Sequence, residues 1–202
     1  MFNPRGLYAI TNGARLDLGE AVSAALAGGA CVIQYRDKTT NHDRREAEAA
    51  MLARICAGQS IPLIINDDID LALRCGAAGV HLGSNDDNAK TARTRLGNDA
   101  IIGISCYVSL DRARRAVDEG ASYVAFGAFH PSPTKPHAPH ARLAILIEAR
   151  SLGVPVVAIG GITPDNASEL IDAGADCVAV ISSLFDAPDI EAAARRFSQL
   201  FS

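Results

Sequence analysis

The segment Gly174-Ala175-Asp176-Cys177-Val178 carries the pattern that decides the fold, because the chain repeats it three more times. In each copy, a glycine that ends a helix is followed at once by the start of a short β-branched strand. The other copies are Gly29-Ala30-Cys31-Val32, Gly76-Ala77-Ala78-Gly79-Val80 and Gly120-Ala121-Ser122-Tyr123-Val124. They recur roughly every 45 to 55 residues, the length of two strand–helix units, so the sequence predicts four pairs of such units.

Eight short apolar runs are predicted to form strands, and longer segments with helical spacing of Ala, Leu and Arg lie between them. The runs begin at Leu7, Val32, Leu63, Val80, Ile101, Val124, Val156 and Val178. Most are continuously apolar, as in parallel strands covered by helices. Helices are expected over 43–57 and 111–119, for example, the latter with Ser109 as its N-cap. The predicted fold class is α/β, a single (β/α)8 TIM-barrel domain over residues 1–202, with a doubly wound open sheet as the alternative.

Composition restricts the class of protein and its partners. A length of 202 residues suits one domain, and 49% hydrophobic residues allow a large buried core. The net charge of −4 gives no reason to expect nucleic acid or a membrane as partner, and the sequence has no 18-residue apolar run. No secretory signal is visible and the five cysteines never form CxxC, so we expect a cytoplasmic protein with reduced, buried thiols. A disulfide framework or a zinc site is the alternative.

Polar side chains at the end of the second strand are predicted to bind an anion. In a barrel, the chemistry lies on the loops at the carboxyl ends of the strands. Because side chains alternate along a strand, Gln34, Arg36 and Lys38 project to the same side and form a convergent set of donors. In the alternative, Arg36 and Lys38 are solvated loop charges.

Carboxylates after the third and fourth strands predict a magnesium site. The third strand stops at Asn66-Asp67-Asp68, and Asp86 follows the fourth. Mg²⁺ held between Asp67 and Asp86 would have the one or two carboxylate ligands it prefers, and Asn66 would contact a phosphate. Alternatively, Asp67 or Asp68 caps the next helix, and Asp68 is the expected cap. His81 is predicted to be a hydrogen-bonded core histidine rather than a metal ligand.

The last four strands predict a second anion site. Strand five ends at Ser105, and the loop over 130–140 carries hydroxyl groups and Lys135, which suit a phosphate unless this is an ordinary surface loop. Gly161 and Ser182 follow strands seven and eight, whose loops form the recurrent phosphate site of barrels. The pattern therefore predicts two anions at one barrel mouth. It contains no recognisable nucleophile paired with a base and no Schiff-base lysine inside a strand.

The same segments, in this order, resemble the signatures of the thiamine phosphate synthase family and cover nearly the whole chain. They are Gln34-Tyr35-Arg36-Asp37-Lys38, Asn66-Asp67-Asp68, Gly79-Val80-His81-Leu82-Gly83 with Asp86, Pro131-Ser132-Pro133-Thr134-Lys135, Ala158-Ile159-Gly160-Gly161-Ile162 and Val180-Ile181-Ser182. Each motif is modest, but the ordered set is specific. The resemblance implies a transferase that condenses 4-amino-2-methyl-5-(diphosphooxymethyl)pyrimidine with 4-methyl-5-(2-phosphoethyl)thiazole, giving thiamine phosphate and pyrophosphate, with Mg²⁺ as cofactor.

The resemblance also implies a role for each matching residue. Asp67 and Asp86 would hold Mg²⁺. The pyrimidine diphosphate would be bound by Gln34, Arg36, Lys38, Asn66, Lys135 and Ser105, the last near its ring and leaving group. The thiazole phosphate would be bound by Ser132, Thr134, Gly161, Ile181 and Ser182. Tyr35, Asp37 and Pro133 lie inside the same motifs and are counted as substrate-binding, and the catalytic set is Arg36, Lys38, Ser105 and Lys135.

Two positions depart from the family pattern, which usually has Gln where Ser84 stands and often His where Tyr107 stands. In the family, the Gln would support the metal and the His would contact the pyrimidine, so these are the two functions that Ser84 and Tyr107 affect.

The implied mechanism is displacement of pyrophosphate by the thiazole nitrogen through a carbocation-like pyrimidine. Charge on the leaving group would be neutralised by Arg36, Lys38, Lys135 and Mg²⁺. The alternatives are a thiazole tautomerase, a non-catalytic regulator that binds the precursors, and a phosphosugar isomerase or aldolase. The expected partners are small-molecule substrates, and a homo-oligomer is left open. Turnover, closure of the loop over 130–140 and a second homologue in the pathway are left open too.

Overall fold

Eight parallel strands close into a barrel in the computed structural model, which describes residues 2–84, 86–131 and 139–201. The strands pair in sequence order, and the last pairs with the first, Val178 opposite Leu7. The predicted (β/α)8 barrel is therefore confirmed, and the open sheet is excluded. Each strand begins within two residues of its predicted position; the bounds are β1 (Gly6–Ile10), β2 (Ala30–Tyr35), β3 (Leu63–Asn66), β4 (Gly79–Leu82), β5 (Ile101–Tyr107), β6 (Tyr123–Phe126), β7 (Val156–Ile159) and β8 (Cys177–Val180).

Helices follow the strands and cover the outside of the barrel. Their bounds are α1 (Leu18–Ala27), α2 (His42–Gly58), α3 (Ile69–Cys75), α4 (Ala89–Leu96), α5 (Leu110–Asp118), α6 (Ala144–Ala149), α7 (Ala167–Asp172), α8 (Ser182–Phe185) and α9 (Ile190–Ser198), with 3-10 turns at Arg150–Leu152 and Gln199–Phe201. The side chains of Asp68 and Ser109 accept hydrogen bonds from the backbone N–H groups of Leu71 and Arg112, which confirms both predicted N-caps. A cap of this kind contributes about 1 kcal/mol.

The repeat that predicted the fold is present in the structure. Gly29, Gly76, Gly120 and Gly174 have φ angles of 98°, 66°, 96° and 114°, and each stands shortly before an even-numbered strand. A positive φ turns the chain sharply at almost no steric cost when the residue lacks a Cβ.

Two hydrophobic layers hold the barrel together. The outer layer packs one face of each strand against the helices and includes Leu7, Ile33 and Leu52. The inner layer fills the barrel itself with Tyr8, Ile10, Val32, Ile64, Tyr123, Ala125, Val157, Cys177 and Ala179. Side chains alternate between the layers, so a slip of one residue in a strand would exchange them and is strongly disfavoured. The alternation fixes which polar residues reach the barrel mouth.

All five cysteines are free thiols, three of them buried and two half-buried. In the described ranges, no helix combines the length and the apolar composition that crossing a membrane requires.

Candidate active site

A cavity of about 310 Å³ opens at the carboxyl ends of the strands and is lined by residues from all eight of them or from the loops that follow. Its walls are largely apolar, so the few polar groups that reach it are those at the strand ends. The structure brings together here Gln34, Arg36, Asn66, Ser105, Gly161, Ile181 and Ser182 from the set expected on sequence. This cavity is the candidate active site.

The floor of the cavity is a chain of hydrogen bonds between buried side chains. Gln34 Nε2 donates to Tyr8 Oη at 2.8 Å, and Tyr8 Oη lies 2.6 Å from Tyr123 Oη. His81 Nδ1 is 2.9 Å from Tyr123 Oη, and His81 Nε2 is 2.9 Å from Ser105 Oγ. His81 is therefore hydrogen-bonded within the core, as predicted. Burial raises the pKa of both phenols well above their ordinary range, so both keep their protons.

An acidic rim borders the cavity beside β3 and β4. Asp67 Oδ2 lies 3.0 Å from Lys38 Nζ, and Asp86 Oδ2 accepts a hydrogen bond from the backbone N–H of Gly83 at 2.7 Å. Partial burial, and then the neighbouring carboxylate of Asp67, raise the pKa of Asp86. Asn66 lies between this rim and the floor, since it lines both the main cavity and an adjoining one of about 450 Å³.

The donor set of this rim fits a magnesium ion. Two neighbouring carboxylates supply hard oxygen ligands. Burial first, and then the nearby carboxylate of Asp67, raise the pKa of Asp86, and a divalent cation would stabilise the charged form of both groups. Within the described ranges, no cluster of three or more His, Cys, Asp or Glu side chains is placed to hold a metal. A cation here would therefore complete its shell with water or phosphate oxygens, as Mg²⁺ commonly does.

Two of the expected substrate-binding residues, Tyr35 and Asp37, do not reach the cavity. Tyr35 Oη donates to Glu48 of α2 at 2.6 Å, and the Asp37 carboxylate accepts from Arg44 and from the backbone N–H of Thr39. Tyr35 ends β2 and alternates with Gln34, so its side chain faces the helix layer. Asp37 lies two residues beyond the strand, where Arg44 of α2 holds its carboxylate at the edge of the adjoining cavity. We correct the expectation accordingly and leave both out of the proposed contacts.

The side of the cavity opposite the acidic rim is built from backbone. Gly161 has a φ of 62°, and a Cβ built there would lie 2.3 Å from the carbonyl oxygen of Pro131 and 2.7 Å from that of His130. Ser182 begins α8, where the first N–H groups of a helix have no acceptor inside it. Ser132, Pro133, Thr134 and Lys135 were also expected here, and they lie outside the described residues.

The two departures from the family pattern contact each other. Ser84 Oγ lies 3.3 Å from Tyr107 Oη, which joins the loop that carries Asp86 to the end of β5. Tyr107 also lines the cavity and has a φ of 54°, which a bulky residue rarely adopts. The two positions that depart from the family pattern are therefore neighbours at the barrel mouth.

Sequence reasoning missed Tyr8 and Tyr123, which form the middle of the cavity floor. Tyr8 lies in the predicted first strand and Tyr123 directly before the predicted start of the sixth, and neither was given a role. The available signal was strand alternation, because Tyr8 precedes Ile10 by two and Tyr123 precedes Ala125 by two, and all four face the barrel interior. A phenol pointing into a narrow barrel needs a hydrogen-bonding partner, which would have directed attention to both.

Comparison with known proteins identifies several relatives. A family model described as thiamine monophosphate synthase matches residues 7–184. The thiamine-phosphate synthase of Thiobacillus denitrificans is 53% identical over 204 residues, covering 98% of this chain and 96% of that protein. The enzyme of the same name from Nitrosococcus oceani is 56% identical over 201 residues, covering 98% and 93%. Among solved structures, a thiamine phosphate pyrophosphorylase from Pyrococcus furiosus superposes with a TM-score of 0.89 at 33% identity, covering 98% and 96%.

Proposed function

Because the chain belongs to the thiamine monophosphate synthase family, we propose that the cavity at its barrel mouth is where it forms thiamine phosphate. The enzyme is a transferase. The bond between the pyrimidine methylene carbon and the diphosphate oxygen breaks, and its electron pair leaves with pyrophosphate. The thiazole nitrogen then supplies the pair for the new carbon–nitrogen bond. The observation that carries this proposal is the sequence identity of 53% and 56%, over 98% of the chain, to two proteins named thiamine-phosphate synthase.

The pyrimidine diphosphate is assigned to the side of the cavity formed by β2 to β5. Gln34 and Ser105 would hold the ring at the floor, and Asn66, Arg36 and Lys38 would meet the diphosphate towards the acidic rim. The assignment is supported by position, since four of the five line the cavity and Lys38 borders it beside Asp67. Lys135 is proposed for the same diphosphate on the resemblance alone.

Asp67 and Asp86 are the proposed ligands of Mg²⁺. When bound, this ion supplies positive charge to the oxygens of the leaving group. The guanidinium of Arg36 and the ammonium of Lys38 would stabilise the same developing charge, and donors placed in advance cost no reorganisation during the reaction. The apolar walls keep water from the pyrimidine cation, and the two bound substrates react as neighbours.

The thiazole phosphate is assigned to Gly161, Ile181 and Ser182, with Ser132 and Thr134 added from the resemblance. Backbone N–H groups at the ends of β7 and β8 would bind the phosphate, as they do in other barrels. We also propose that the chain acts as one catalytic unit over residues 1–202, in the cytoplasm, where its five free thiols stay reduced.

Gly161→Ala is expected to lower stability by more than about 1 kcal/mol and to raise the KM for the thiazole phosphate. The added Cβ would meet two backbone carbonyl oxygens, so the loop after β6 has to move. Gly153→Ala is the matched control, because Gly153 has a similar φ of 71° but no atom within 4 Å of the added Cβ. Thermal unfolding and initial rates measure the two effects. An unchanged KM in Gly161→Ala would place the thiazole phosphate elsewhere.

The direct test mixes purified protein, Mg²⁺ and both substrates, and follows pyrophosphate and thiamine phosphate together. We expect equal amounts of the two products, and we expect EDTA to abolish both and excess Mg²⁺ to restore them. The protein without Mg²⁺ should stay folded, since the barrel core includes neither Asp67 nor Asp86, and its unfolding temperature should fall only by the amount that ion binding contributes. Binding of both substrates without product would instead identify a non-catalytic binding protein.

A further inference from the structure

The cavity floor links two proposed pyrimidine contacts that lie on non-adjacent strands. Gln34 on β2 and Ser105 on β5 are the two ends of a hydrogen-bond chain that passes through Tyr8, Tyr123 and His81. The three middle side chains are 1%, 0% and 9% exposed. All five line the cavity. Such a connected, buried polar network behaves as a unit rather than as separate contacts.

Every hydroxyl has a single hydrogen to donate and two lone pairs that accept, so the direction of the chain is assigned from the donor at its first bond. Gln34 donates to Tyr8. If Tyr8 also accepted from Tyr123, the hydrogen of Tyr8 would have no acceptor in this chain of bonds, so we assign that hydrogen to Tyr123. The hydrogen of Tyr123 then points to His81 Nδ1, which must accept it.

The remaining ring hydrogen is therefore on His81 Nε2 and points to Ser105 Oγ. Ser105 accepts from His81, and its own hydrogen is left to point into the cavity. At the other end, Gln34 uses its amide N–H on Tyr8 and presents its carbonyl oxygen Oε1.

We propose that Tyr8, Tyr123 and His81 are positioning residues that make Gln34 a hydrogen-bond acceptor and Ser105 a donor towards the pyrimidine. An aminopyrimidine offers the complementary pair, an amine that donates and a ring nitrogen that accepts. The 4-oxo form of the same ring offers the opposite pair, a carbonyl oxygen and a ring N–H. This hydrogen-bond relay, which runs from Gln34 through Tyr8, Tyr123 and His81 to Ser105, thus selects the amino form. This inference rests on the proposed function, since it concerns the pyrimidine that the cavity binds.

The raised pKa values of the two phenols support the arrangement. Burial is the largest cause for both, and it disfavours the charged phenolate. Both phenols therefore keep the hydrogens that these hydrogen bonds use.

The test compares binding of two probes to the full chain by calorimetry. The probes are the monophosphates of the 4-amino and of the 4-oxo hydroxymethylpyrimidine, which cannot release pyrophosphate. We expect the wild type to bind the amino form more tightly. Tyr123→Phe breaks the relay at its centre, so the Kd of the amino form should rise about tenfold. The preference, measured as the Kd of the oxo form divided by the Kd of the amino form, should fall towards one. The KM for the thiazole phosphate should stay unchanged.

Two further variants keep the test decisive. Ser122→Ala removes a hydroxyl that bonds Arg93 and the backbone N–H of Ile102 just before β6, so it should lower stability and leave the preference intact. Tyr8→Phe breaks the relay beside Gln34, and the same binding comparison is made with this variant if Tyr123→Phe does not fold. The double variant of Tyr8 and Tyr123 should lose no more preference than either single variant, because one relay is broken in each case.

The outcomes separate this inference from the proposed function. A Tyr123→Phe protein that is less stable but keeps the full preference for the amino form would show that the phenols only support the fold. Equal binding of both probes by an active wild type would also overturn the inference and leave the synthase activity standing. A wild type that makes no thiamine phosphate would overturn the proposed function, and this inference with it.

Discussion

Asp67→Ala is expected to reduce turnover by about 10² to 10³-fold while the barrel stays folded. Asp67 lies between Lys38 and Asp86 on the acidic rim, where its carboxylate is a proposed ligand of Mg²⁺. Its loss would weaken ion binding and leave the charge of the departing pyrophosphate poorly neutralised. Turnover at saturating substrates, together with direct Mg²⁺ binding by calorimetry, measures both consequences.

Backbone conformation has to be separated from ligand loss in this experiment. Asp67 has a φ of 65°, which Asp and Asn tolerate better than Ala, so Asp67→Asn keeps the local conformation and removes only the charge. Asp68→Ala is the control next in sequence, because Asp68 caps α3 and pairs with Arg45. It should cost about 1 kcal/mol of stability and keep its magnesium affinity. Near-normal turnover and magnesium affinity in Asp67→Asn would remove Asp67 from the metal site.

Arg36→Ala is expected to lose about 10² to 10³-fold in turnover, with stability little changed. Arg36 lines the cavity, and in the part of the chain that the structure describes it forms no ion pair, whereas Arg44 and Arg45 pair with Asp37 and Asp68. Its guanidinium is therefore placed for an external anion, which here is the leaving diphosphate. Single-turnover release of pyrophosphate measures the loss directly.

Charge and geometry at this position can be distinguished with a second substitution. Arg36→Lys keeps the charge but loses the planar fork that binds two phosphate oxygens at once, so an intermediate rate is expected. Arg74→Ala is the matched control, since Arg74 pairs with Glu46 on the outer helices. It should show normal kinetics. Full activity of Arg36→Ala would assign the leaving group to other donors.

The fold was predictable because it follows from local patterns. The repeated glycines and the eight apolar runs identify strand–helix units, and a right-handed succession of such units gives few architectures. The residues that the sequence places at the barrel mouth follow from the same alternation, as Gln34 near the end of β2 and Arg36 just after it show. Tyr35 and Asp37 belong to the same motif but contact Glu48 and Arg44 of α2, so membership of the motif alone did not predict which way these two side chains face.

The sequence by itself determined the barrel, the strand ends that carry polar groups and, through the ordered motifs, the family. These properties depend on neighbours within a few residues along the chain, which the sequence displays. Tertiary structure alone decided the relay from Gln34 to Ser105 and the contact between Ser84 and Tyr107. Tyr8 and Tyr123 are 115 positions apart in the chain, and their hydroxyls meet only because closing the barrel turns β1 and β6 towards one interior.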